Sequence, residues 1–86
     1  MIPKNITRQH IIAAVKKIDN EGVPAKRNST KYSFIFNEKA YPPKYVISLA
    51  NHYACGKELA PSGFNGGEEA NSFLIDLGFN IQKKKQ

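Results

Sequence analysis

The sequence has little of what covalent or metal chemistry needs. A single cysteine, Cys55, excludes an internal disulfide and a zinc cluster built on thiolates. There is no tryptophan, and the two histidines, His10 and His52, stand far apart in the chain. No apolar run approaches the ~18 residues of a membrane-spanning helix. The opening MIPKNITRQH has neither the charged nor the apolar region of a signal peptide. A reducing, cytoplasmic setting is therefore the expectation. Acidic residues are scarce in the first half, where Asp19, Glu21 and Glu38 face nine Lys and Arg residues between Lys4 and Lys44.

What is present fits one small folded domain. The chain has 86 residues, 41% hydrophobic and 23% charged, which suits a folded globular domain rather than a disordered segment. Its formal net charge is +6. Between residues 45 and 82 only Lys57 stands against Glu58, Glu68, Glu69 and Asp76, and Lys83-Lys84-Lys85 then restores the excess. A polyanion is a natural partner for the first half of such a chain.

Periodicity places the elements. Thr7 is an N-cap for a helix over Arg8–Glu21, with Ile6 and Ile11 at hydrophobic-staple spacing and Ile11, Ala14, Val15 and Ile18 as its buried stripe. Gly22 and Pro24 end it, and Arg8, Lys16 and Lys17 take the opposite face. After a polar loop, YSFIFNEKAY predicts a hairpin turning at Asn37-Glu38, with Tyr32, Phe34 and Phe36 on one face. Pro42 and Pro43 then form a rigid joint. Pro43 opens a helix to about Ala54, with Val46, Leu49, Ala50 and Tyr53 inward and Lys44 and Tyr45 at its exposed start. A third helix is expected from about Gly67 to Leu77, and a last short strand at Phe79–Ile81. The order α-β-β-α-α-β defines an α+β domain over residues 1–82, three helices with a small antiparallel sheet, followed by a basic tail or linker at 83–86. A winged-helix-like closure is one arrangement compatible with that order.

The candidate chemistry is thin for an enzyme. Cys55 and His52 share a helical face but have no third group to orient them. GFNGGEE resembles a phosphate loop only in its glycines: it lacks the lysine, and Glu68 and Glu69 follow at once. Asn65 and Gly66 can still meet one backbone phosphate. No cofactor, metal or catalytic residue is expected. The stronger signal is basic residues interleaved with aromatics. Arg8, Lys16, Lys26, Arg27, Lys31, Lys39 and Lys44 fall on the first helix, the loop, the hairpin and the proline joint, with Tyr32 and Tyr41 among them.

Four motifs in order carry a resemblance: Gly22-Val23-Pro24, Tyr41-Pro42-Pro43-Lys44, Phe64-Asn65-Gly66-Gly67-Glu68 and Leu77-Gly78-Phe79. From about Thr7 to Ile81 the chain resembles the small N-terminal, head-like domain of HNH-type, McrA-like restriction endonucleases and related bacterial proteins. The resemblance implies a non-catalytic accessory domain of a nuclease acting in defence. It would help to engage DNA, with modified DNA among the candidates. The HNH residues have no counterpart in this chain.

Two functions follow as expectations. In the first, duplex DNA is bound through Arg8, Lys26, Arg27, Lys31, Lys39, Tyr41, Lys44, Asn65 and Gly66, with the hairpin and the YPPK joint facing the duplex and the acidic third helix turned away. In the second, the domain docks on a nuclease domain, in cis or in trans, with Tyr32, Tyr41 and Tyr45 as anchors of an apolar patch.

Overall fold

The fold is given by a computed structural model that describes residues 2–28 and 31–83. Helix α1 spans Arg8–Glu21, strand β1 Tyr32–Phe36, β2 Lys39–Tyr41, helix α2 Pro43–Cys55, α3 Glu68–Asp76 and strand β3 Asn80–Lys83. Single 3-10 turns lie at Ala25–Arg27 and Pro61–Gly63. This is the expected α+β order, α-β-β-α-α-β, with three helices and one antiparallel sheet.

Helix α1 has the expected bounds. Its entry is fixed by Ile6 and Ile11, both buried, and by the backbone N–H of Thr7, which donates to Nδ1 of His10 across 3.0 Å. The last turn closes where the N–H of Gly22 donates to the carbonyl of Ile18, with φ at +79°, a value glycine takes without strain. The predicted stripe of Ile11, Ala14, Val15 and Ile18 is the buried one. Of these, the Ile11, Val15 and Ile18 side chains each contribute roughly 1.5–3 kcal/mol on full burial.

The sheet runs β2-β1-β3, so β1 is the central strand. Phe34 sits opposite Tyr41 on one side and Ile81 on the other and is wholly buried. Its ring meets that of Phe79 edge to face at 5.0 Å, and Phe36, Tyr41 and Phe79 complete an aromatic cluster. Ser33, on the opposite face of β1 from Phe34, is also buried. Strand β3 starts one residue later than expected and continues through Lys83, which pairs with Tyr32. The folded unit therefore includes the first lysine of the expected tail; the remainder, 84–86, lies outside the described residues.

Two tyrosines exchange their expected places. Helix α2 packs on α1, α3, β1 and the second 3-10 turn, and is buried around most of its girth from Pro43 to Asn51. Tyr45 in its first turn is therefore only 7% exposed, whereas Tyr53 in its last turn, beyond the core, is 42% exposed. A single-stripe reading misplaces both residues, because it presumes a helix with one wet face. Helix α3 is shorter by a residue at each end than expected. It buries Ala70, Asn71 and Leu74, while Phe73 and Leu77 pack at the margin.

Candidate nucleic-acid interface

Three stretches remote in sequence meet around one open cleft of about 570 Å³. The loop after α1 brings Lys26, Arg27, Asn28 and Lys31. The proline joint and first turn of α2 bring Pro42, Pro43, Lys44 and Tyr45. The loop before α3 brings Pro61, Asn65, Gly66 and Gly67, and Tyr32 closes the lining. Four cations thus line one concavity, and no carboxylate does among the described residues. At close range in a partly desolvated cleft, like charges without counter-charges create a potential that favours an anion. The first turn of α2 adds the positive end of its dipole.

The cations are held in different ways. Arg27 is half-buried. Its guanidinium lies 4.8 Å from the centroid of the Tyr45 ring, and its Nη2 donates to the buried Oγ of Ser48 across 3.0 Å. Lys44, also half-buried, carries its ammonium 5.1 Å from the centroid of Phe64. Lys26 and Lys31 are exposed at the rim.

The glutamates that follow the double glycine do not enter the lining. Glu69 accepts the N–H of Asn65 across 2.9 Å, and this bond holds its carboxyl below the usual glutamate range. The loop is tightened further by the Gly67 N–H, which donates to Oδ1 of Asn65 across 2.7 Å.

Six of the nine expected contact residues border the cleft: Lys26, Arg27, Lys31, Lys44, Asn65 and Gly66. The other three lie elsewhere and are engaged within the fold. Arg8 donates to the carbonyl oxygen of Leu77 and stacks on Phe79 with Cζ 4.4 Å from the ring centroid, tying the start of α1 to the end of α3. Tyr41 is buried, and its hydroxyl donates to Oδ1 of Asp19 across 2.6 Å. Lys39 approaches the same oxygen at 3.8 Å. On α1, Lys17 pairs with Glu21 at 3.2 Å, which raises its pKa above the ordinary lysine value. Sequence reasoning missed Asn28, Tyr45, Pro61 and Gly67 as lining residues. The one signal pointing to them was proximity to residues already chosen.

Among the described residues no group of three or more His, Cys, Asp or Glu side chains is placed to hold a metal ion. No helix among them is long and apolar enough to cross a membrane.

The fold and the cleft define a class: a small α+β domain with an open cleft lined by four cations. Over residues 4–83 the chain matches the family described as ScoMcrA-like, N-terminal head domain, and it belongs to that family. It is thus a head module associated with restriction-type nucleases, the relationship its four motifs implied. Comparison with curated proteins and with solved structures finds no match.

Proposed function

We propose that this head domain is a non-catalytic module that engages duplex DNA for its nuclease, and that it does so through the basic cleft. The observation that carries the reading is the convergence of Lys26, Arg27, Lys31 and Lys44 from two separate segments on a surface that no carboxylate of the described residues lines. Contacts from these cations to phosphates supply affinity and register without reading sequence. Asn28 and Asn65 add amides to the lining, the side-chain type that meets base edges.

The interface proposed here differs from a hairpin edge. Lys39 and Tyr41 are turned to Asp19 on α1, so the basic surface runs from the YPPK joint toward the loop after α1 and the double glycine. Cleavage is assigned to a separate domain.

Docking on a nuclease domain is the second reading. Of its expected anchors, Tyr41 and Tyr45 are buried and Tyr32 is half-buried; among the described residues the large exposed hydrophobic ones are Tyr53 and Ile75, at 42% and 55%. Titrating isotope-labelled domain with a duplex, and separately with the nuclease domain, distinguishes the two. Shifts at Lys26–Lys31, Lys44 and Asn65–Gly67 with DNA support the first reading. Shifts confined to Tyr53 and Ile75 with the nuclease domain, and none with DNA at low salt, refute it.

A further inference from the structure

A positive φ is not what calls for glycine at Gly66. Gly22, Gly56 and Gly78 have φ between +79° and +92°, but Gly66 is not among the residues with positive φ. What excludes a side chain is Lys44. A Cβ at position 66 would stand 2.9 Å from Cδ of Lys44, 3.7 Å from its Cβ and 3.8 Å from its Cγ. The lysine stem lies flat along the Gly66 backbone. Its ammonium meanwhile rests over the ring of Phe64, a buried residue two positions earlier in the same loop. One loop therefore holds this side chain at both stem and head, at the wall of a cleft that no carboxylate of the described residues lines.

We propose that Lys44 is a preorganised phosphate anchor of the cleft, and that Gly66 is its positioning residue. The proposal rests on the DNA reading above, and its ligand chemistry is the phosphate oxyanion, in a DNA backbone or free. A lysine normally loses much rotamer freedom when it grips a phosphate. One already confined between a glycine backbone and an aromatic ring loses less, so the contact retains more of its strength. The cation–π contact leaves the ammonium free to donate on the side away from the ring.

The geometry makes Gly66→Ala an informative substitution. The new methyl meets the middle of a flexible side chain rather than backbone. The fold and every charge remain, while the Lys44 head is displaced from Phe64. Duplex binding is read by fluorescence anisotropy at low salt for the parent, Lys44→Ala, Gly66→Ala and the double variant, with backbone NMR spectra confirming the fold. Lys44→Ala and Gly66→Ala should each weaken binding about three- to tenfold, in keeping with loss or loosening of one phosphate contact. The double variant should be no weaker than Lys44→Ala alone. The Lys44 side-chain protons should be shifted upfield by the Phe64 ring in the parent and return toward ordinary lysine positions in Gly66→Ala.

If Gly66→Ala binds like the parent, or weakens the Lys44→Ala background as much as it weakens the parent, the positioning role is overturned and the DNA reading stands. If the parent itself does not bind duplex, the DNA reading falls, and titration with inorganic phosphate decides the anchor. A response at Lys44 in the parent that is lost in Gly66→Ala upholds it for free phosphate; no response overturns it as well.

Discussion

The guanidinium of Arg27 lies over the ring of Tyr45, 4.8 Å from its centroid, and is tethered by Nη2 to the hydroxyl of Ser48. A planar cation fixed in this way differs from a mobile ammonium of the same charge. Arg27→Lys should therefore keep the net charge yet lower DNA affinity several-fold. It should also lower stability by about 1 kcal/mol through the lost stack and hydrogen bond. Anisotropy titration and urea denaturation measure the two effects separately. Unchanged affinity would remove Arg27 from the interface.

Arg8 performs a fold-holding task at the far end of α1. Arg8→Ala removes its bond to the Leu77 carbonyl and its stack on Phe79. It should destabilise the domain by about 1–2 kcal/mol, roughly 4–16 °C in Tm for a domain of this size. DNA affinity should change only by the small effect of one remote charge. A loss matching that of a cleft lysine would place Arg8 in contact with DNA after all.

The bond from Tyr41 to Asp19 has a signature at alkaline pH. Burial first, and then the hydrogen bond to Asp19, push the Tyr41 phenol up to about 12 from an ordinary value of 10.0. The folded state thus holds this proton more tightly than the unfolded chain. The stabilisation is complete below pH 10 and fades as pH rises from 10 through 12. Tyr41→Phe should lack this decline while losing about 1 kcal/mol at neutral pH. Urea midpoints measured from pH 8 upward test the difference; parallel curves for parent and variant would refute it.

The hairpin turn stores strain. Asn37 and Glu38 have φ of +51° and +65°, the left-handed pair that a two-residue turn between twisted strands requires. Asparagine tolerates this conformation; glutamate does so less readily. Glu38→Gly creates Asn-Gly at that site and should stabilise the domain by about 0.5–1 kcal/mol, visible as a higher urea midpoint. Equal or lower stability would show that Glu38 is held by something other than the turn.

Local signals were legible in the sequence, and tertiary ones were not. Thr7, the Ile6–Ile11 pair and Gly22 all act within a turn of the ends of α1, so its bounds Arg8–Glu21 follow from the residues alone. Pro42 and Pro43 mark the start of α2 for the same reason. The cleft differs because Lys26–Asn28 and Lys31, Pro42–Tyr45, and Pro61 with Asn65–Gly67 become neighbours only through the packing of α2 against its surroundings. Lys39 and Tyr41 illustrate the failure. Strand alternation puts both on one face of β2, but nothing local announces that Asp19 of α1 waits opposite. Tyr45 likewise looks exposed until α2 is known to be buried on most sides.

The central claim is that the cleft cations, and not the basic character of the chain at large, carry contact with DNA. The most direct test compares two double variants that remove the same charge: Lys26→Ala with Lys31→Ala at the cleft, and Lys16→Ala with Lys39→Ala away from it. The measurement is the slope of log affinity against log salt for a short duplex. Each lost phosphate contact should flatten it by about 0.9. The cleft pair should flatten the slope by roughly 1.8, and the remote pair should leave it close to that of the parent. Equal slopes for the two double variants, or a larger change for the remote pair, would contradict the account.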